Sequence, residues 1–129
     1  IGFSICNHSA DADFSYTLPY VRSIVQTTLK NSLPYGICLN VNFPNVTDIK
    51  GIRICRQTDG VWVNEFAECY NPRGNGYFWL TGEYKNNELE NEETDHWALD
   101  HDYVAITPTQ IDVTAYKQVE DMKKWDFNI

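Results

Sequence analysis

A chain of 129 residues with 43% hydrophobic and 14% aromatic residues has the length and apolar content of one folded domain rather than of a disordered segment. Ten Lys and Arg against eighteen Asp and Glu leave a formal charge of -8, which excludes a general binder of polymeric nucleic acid, because neutralising phosphates takes clustered cations. No apolar stretch approaches the roughly 20 residues that cross a bilayer, and no basic-then-apolar leader opens the chain, so no membrane partner is expected.

Ile1 to Cys6 is a short apolar run, consistent with a strand buried on both faces. Such a segment at the first residue reads as a strand taken out of a larger sheet, and the chain reads as a fragment. From about Asp13 to Leu33 the positions Leu18, Val21, Ile24, Val25, Thr28 and Leu29 follow helical spacing. Pro19 belongs in a first turn, so Thr17 and Asp13 are the two candidate starts, and Pro34-Tyr35-Gly36 stops the helix. Ile37 to Phe43 reads as a strand ended by Pro44. Residues 1–49 thus form one βαβ unit with parallel strands.

Residues 50–84 change grammar. Ile52 to Gln57 and Val61 to Tyr70 are extended runs around Thr58-Asp59-Gly60, a strong hairpin signal, and the out-of-phase Phe66 suggests a bulge. A further strand covers Tyr77 to Tyr84. In residues 85–129, the polar stretch 85–93 is expected to be a mobile loop, and Thr94-Asp95 to start a short helix. Tyr103 to Thr107 reads as a strand stopping at Pro108, Ile111 to Thr114 as a shorter one, and Ala115 to Trp125 as an amphipathic helix carrying Val119, Met122 and Trp125.

Cys6, Cys38, Cys55 and Cys69 match no metal or redox spacing. Three of them (Cys6, Cys38 and Cys55) lie in apolar runs, which reads as free buried thiols in a reducing cytoplasm. His96 and His101 stand five apart, about 140° around a helix, and do not face one ion. The acids from Glu83 to Asp100 lack the spacing of a calcium loop and read as a solvated surface. No serine-nucleophile elbow and no glycine-rich phosphate loop is present. Asn71 to Gly82 places one Arg beside Tyr77, Phe78 and Trp79; it reads as a hairpin turn with packed aromatics, or as a site that holds a phosphate and stacks a base.

Five pieces, taken in order, resemble the C-terminal half of the survival protein SurE family. They are Leu39-Asn40-Val41-Asn42-Phe43-Pro44, Lys50-Gly51-Ile52-Arg53, Asn71-Pro72-Arg73-Gly74-Asn75 with Tyr77-Phe78-Trp79, Thr94-Asp95 through Ile106-Thr107-Pro108, and Asp112-Val113-Thr114-Ala115. The family usually has Gly where Asp102 stands, Asp where Asn71 stands and often Leu where Thr109 stands; these are turn or packing changes.

The resemblance implies an α/β fold, the C-terminal part of a doubly wound, Rossmann-like sheet, with a βαβ unit, β-hairpins and a C-terminal helix. It implies that the parent protein is a metal-dependent 5'-nucleotidase acting on nucleoside monophosphates. The divalent cation, Mg²⁺ or Mn²⁺, is expected on ligands upstream of Ile1, so this chain alone is expected to hold no metal ligand and no catalytic residue, and to be inactive. A homodimer or homotetramer is expected, with the Asp59-Gly60 hairpin and the C-terminal helix as contacts. Tyr77, Trp79, Thr94 and Asp95 are the candidate rim of the substrate cleft, with free N–H groups at the helix start facing an anion. A stand-alone carbohydrate-binding or interaction module, with Trp62, Trp79 and Tyr84 as platforms, is the alternative.

Overall fold

The structure, a computed structural model, describes residues 1–127. After β1 (Gly2–Ile5), the Asp13 carboxylate accepts the Ser15 backbone N–H and the Ser15 hydroxyl, both at 2.8 Å, and opens a single 3-10 turn at Ser15–Thr17. α1 (Leu18–Asn31) follows, with Pro19 in its first turn, where a missing N–H removes no helical bond. Asp13 and Thr17 therefore act in succession. Thr17 itself makes no capping bond: its hydroxyl donates to the Phe14 carbonyl at 2.8 Å.

β2 (Ile37–Phe43) runs parallel to β1, with Gly2 opposite Asn40 and Ile5 opposite Phe43, which completes the βαβ unit. β1 is the outer strand of a four-stranded sheet, so Gly2 and Ser4 are exposed and the strand is not buried on both faces. The sheet order continues from β2 to the antiparallel strand Tyr103–Gln110 and ends with β3 (Gly51–Ile54), which is parallel to that strand.

β3 therefore does not fold back through an Asp59-Gly60 turn. Gly60 opens β4 (Gly60–Val63), whose antiparallel partner is β7 (Glu83–Asn86); β5 (Phe66–Tyr70) pairs with β6 (Gly76–Leu80). Gly60 is needed for space: a Cβ there would collide with the Tyr84 hydroxyl. The turn lies instead at the tip, where the Asn71 side-chain oxygen accepts the N–H groups of Arg73 (2.9 Å) and Asn75 (3.0 Å), and Gly74 has φ +79°. The two strand pairs form one long ribbon. Between them Asn64 (φ +53°) and Gly82 (φ +132°) break the ladder, yet Val63 opposes Glu83 and Phe66 opposes Leu80, so each strand spends two residues there. This is a register-preserving kink and not the expected bulge, which would set two residues against one.

Residues 87–94 fold in turns and lead to α2 (Asp95–Asp100). β8 (Tyr103–Gln110) then runs through Pro108 instead of stopping there. The Cys55 N–H donates to the Ile106 carbonyl at 2.8 Å, so even-numbered residues of β8 turn their peptide groups toward β3. Pro108 shares that parity but lies beyond the last β3 pair, Ile54 with Ile106, so its missing N–H removes no ladder bond. Ile111 to Thr114 forms no strand, because β2 begins at Ile37, opposite Gln110, and offers no partner beyond it. α3 (Tyr116–Met122) is shorter than the expected helix, and none of its residues is buried; Val119 and Met122 remain partly exposed.

The two faces of the sheet differ. Toward α1 it presents Phe3, Leu39, Val41, Phe43, Val104 and Ile106, which with Ile24 and Ile49 form the main core. The register places Ser4, Asn40, Asn42, Thr107 and Thr109 on the opposite face. There a smaller cluster of Cys55, Ala98 and Ala105 packs beneath α2. All four cysteines are free; Cys55 is buried and Cys38 half-buried, but Cys6 is exposed because it follows the last residue of β1.

Candidate functional site

The helix start at Thr94-Asp95 is the centre of a hydrogen-bonded knot. Thr94 caps α2 by accepting the Trp97 N–H at 3.3 Å, while its hydroxyl donates to the Asn91 carbonyl at 2.9 Å; the residue is 0% exposed. Asp95 Oδ1 accepts the Thr58 N–H at 3.0 Å, the Thr58 hydroxyl at 2.6 Å and the His96 N–H at 2.9 Å. The first N–H groups of α2 are thus engaged inside the protein, and none is left facing an anion as the sequence suggested.

The neighbouring turn is tied to the same knot. Glu88 takes a two-point hydrogen bond from the Arg56 guanidinium, 2.9 Å at one oxygen, and also accepts the Asp59 N–H at 2.7 Å. The Arg56 guanidinium first, then the Asp59 N–H, hold the Glu88 carboxyl down at about 2. The Arg56 N–H donates to the Glu93 carbonyl at 3.0 Å, and the Asp95 N–H to the Arg56 carbonyl at 3.0 Å. Residues 85–93 are therefore not a free loop: Lys85 and Asn86 lie in β7, and the remainder is stitched to residues 56–59.

Tyr84 joins the ribbon to this knot. Its ring stacks on His96 at 4.5 Å and meets Trp62 edge-on at 5.7 Å. Trp62 and Tyr84 form one packed pair with His96 rather than separate sugar platforms. On the far side of α2, Trp97 stacks on His101 at 3.8 Å and lies 4.8 Å from the Arg53 guanidinium, which is also 5.5 Å from the Tyr103 ring.

The four rim candidates do not converge. Thr94 and Asp95 lie in the knot, whereas Tyr77 and Trp79 pack edge-on against one another at 6.4 Å on β6. Tyr77 is seven residues along the ribbon from Tyr84, about 23 Å at strand rise. Trp79 and Tyr77 share one ribbon face with Ala67 and Cys69; Phe66, Phe78 and Leu80 share the other. Phe66, Phe78, Trp79 and Leu80 are all more than 60% exposed. Sequence reasoning missed Thr58, Arg56 and Glu88, and only the Thr94-Asp95 cap signal pointed near them.

Among the described residues no three His, Cys, Asp or Glu side chains stand close enough to hold a metal ion. The donor set does not fit the divalent cation that the resemblance implies, and no helix among them is long and apolar enough to cross a membrane.

Residues 1–64 match the family described as survival protein SurE. A protein of Phocaeicola vulgatus named 5'-nucleotidase SurE is 59% identical over 129 residues, covering 100% of this chain and 50% of the relative. One of the same name from Bacteroides thetaiotaomicron is 51% identical over 122 residues, covering 95% and 47%. The crystal structure of the Sure protein from Aquifex aeolicus superposes with a TM-score of 0.75 at 30% identity, covering 94% of this chain and 49% of that one. The chain spans about half the length of the relatives it matches.

Proposed function

Since this chain belongs to the survival protein SurE family, we propose that it works as part of a 5'-nucleotidase that hydrolyses nucleoside monophosphates to nucleoside and phosphate. The carrying observation is 59% identity across the whole chain to a relative bearing that name. The chain's own role in this reading is architectural and substrate-side. It extends the sheet, and the knot at Thr94-Asp95 and Glu88 ties the ribbon of residues 60–86 to α2 and the end of β3. No catalytic step is assigned to its residues: the described side chains offer no metal cradle, so a Mg²⁺ or Mn²⁺ ion would take its ligands from other parts of the polypeptide.

Self-association belongs to the same reading. The ribbon of residues 60–86 exposes Trp62, Phe66, Phe78, Trp79 and Leu80, and α3 exposes Tyr116, Val119 and Met122. Together they offer more apolar surface than a small monomer usually leaves to water, which supports a homodimer or homotetramer. Four free thiols support a reducing, cytoplasmic setting.

The test compares two proteins. Full-length polypeptide with Mg²⁺ or Mn²⁺ should release phosphate from nucleoside monophosphates and lose that activity to a chelator, while residues 1–129 alone should release none. Chelator-sensitive turnover by residues 1–129 would overturn the assignment of roles, and inactivity of the full-length protein would overturn the nucleotidase reading. Sedimentation should show concentration-dependent oligomers, and a monomer at all micromolar concentrations would refute that part.

A further inference from the structure

Beyond the carboxyl ends of the parallel strands β1 and β2 the chain leaves a cleft of about 480 Å³, lined by Asn7, Asp13, Tyr16, Asn45, Thr47 and Asp48. Its walls are fixed by side chains. Asn7 Nδ2 donates to Asn45 Oδ1 at 3.2 Å, and Asn7 Oδ1 accepts the Ser9 N–H at 2.9 Å. The Tyr16 hydroxyl donates to the Pro44 carbonyl at 2.9 Å, and Asp13 is committed to Ser15. Among the described residues, the groups left without partners are the Asn45 amide NH₂, the Thr47 hydroxyl and the Asp48 carboxylate. A carboxylate that accepts hydrogen bonds, an amide donor, a hydroxyl and an aromatic ring thus line one cleft of a size suited to a small ligand.

We propose that this cleft takes the sugar of the nucleotide, with Asp48 accepting hydrogen bonds from its hydroxyls and Asn45 donating to their oxygens; the proposal rests on the nucleotidase reading above. Charge selects the sugar over the phosphate. The charged side chains lining the cleft, Asp13 and Asp48, are both acidic, so a phosphate dianion is repelled from it. A vicinal diol is neutral, presents two O–H donors to one carboxylate and returns lone pairs to an amide. The position agrees, because open α/β sheets bind ligands outside the carboxyl ends of parallel strands. Asp48 and Asn45 then set how strongly the enzyme prefers a nucleotide to a phosphate ester without a sugar.

The test uses full-length polypeptide carrying Asp48→Ala or Asn45→Ala. kcat/KM is measured for adenosine monophosphate, its 2',3'-dideoxy analogue and p-nitrophenyl phosphate. Loss of a hydrogen bond to a charged group should lower the ratio of adenosine monophosphate to p-nitrophenyl phosphate about tenfold in Asp48→Ala. The ratio of adenosine monophosphate to its dideoxy analogue should move toward one. Both residues are exposed, so the variants are expected to fold, and circular dichroism checks that. Ratios unchanged within about twofold, or a parallel fall for all three substrates, would overturn the proposal. If the unmutated protein hydrolyses none of the three, the nucleotidase reading fails instead. The cleft is then judged by saturation-transfer NMR with free ribose: a signal lost in Asp48→Ala sustains a sugar site, and no signal removes it.

Discussion

Thr94→Ala should destabilise the protein by about 3 kcal/mol, and Thr94→Ser by about 1. The side chain is fully buried, and its hydroxyl serves two backbone groups, the Trp97 N–H and the Asn91 carbonyl. Losing the helix cap costs about 1 kcal/mol. Losing the hydroxyl's hydrogen bond to the half-buried Asn91 carbonyl, which keeps only the Thr94 N–H at 3.2 Å, adds about 1 more. Removing the buried methyl contributes a further 0.8 or so. Serine keeps both hydrogen bonds and loses only the methyl, so the difference between the variants isolates the hydroxyl at about 2 kcal/mol. Urea unfolding followed by Trp fluorescence reads this as a midpoint difference of about 1 M for a slope near 2 kcal/mol per M. Equal midpoints for the two variants, within about 0.25 M at unchanged slope, would refute the claim that this hydroxyl organises the knot.

Arg56→Ala should flatten the acid limb of stability. Because Glu88 titrates at about 2 in the folded chain against an ordinary 4.5, its contribution is complete above pH 4.5 and disappears as pH falls toward 2. The loss of stability between pH 5 and pH 3 should therefore be smaller in the variant, and equal losses would reject the pairing. Phe43→Ala empties the centre of the main core and should cost about 3–5 kcal/mol in the same urea assay. Burial pushes both the Cys55 and Cys6 thiols up, but Cys55 is enclosed and Cys6 exposed, so iodoacetamide at alkaline pH followed by mass mapping should label Cys55 only in denaturant while Cys6 reacts in the folded chain.

Elements whose signals are local were readable in the sequence. β2 was bounded correctly by Gly36 and Pro44, α1 by its helical spacing and its Pro19, and α2 by the Thr94 cap. Pairing was a different matter. Period-2 alternation shows which face a strand residue takes but not which strand lies beside it, so the Asp59-Gly60 signal suggested a turn where Gly60 opens a strand whose partner begins 23 residues later. Pro108 misled for the same reason. Its tolerance depends on β3 ending two residues earlier, which no window around the proline reveals. The knot shares this character: Thr94 and Asp95 were marked as a helix start, but their partners Arg56 and Thr58 arrive from almost forty residues away.

The kink at Asn64 and Gly82 constrains how the ribbon can change in length. Both halves of the ribbon keep one common register across the break, so every residue on one strand has a fixed counterpart on the other. A single insertion in either strand would turn the outer residues of that strand over, exchanging the Phe66 edge for the Ala67 edge against an unchanged partner. Lengthening or shortening is tolerated only as matched changes of two residues in each strand, or at the Asn71–Asn75 tip where no pairing is at stake. Reach and facial identity are thereby uncoupled: the arm can be extended without altering which aromatics it presents on either side.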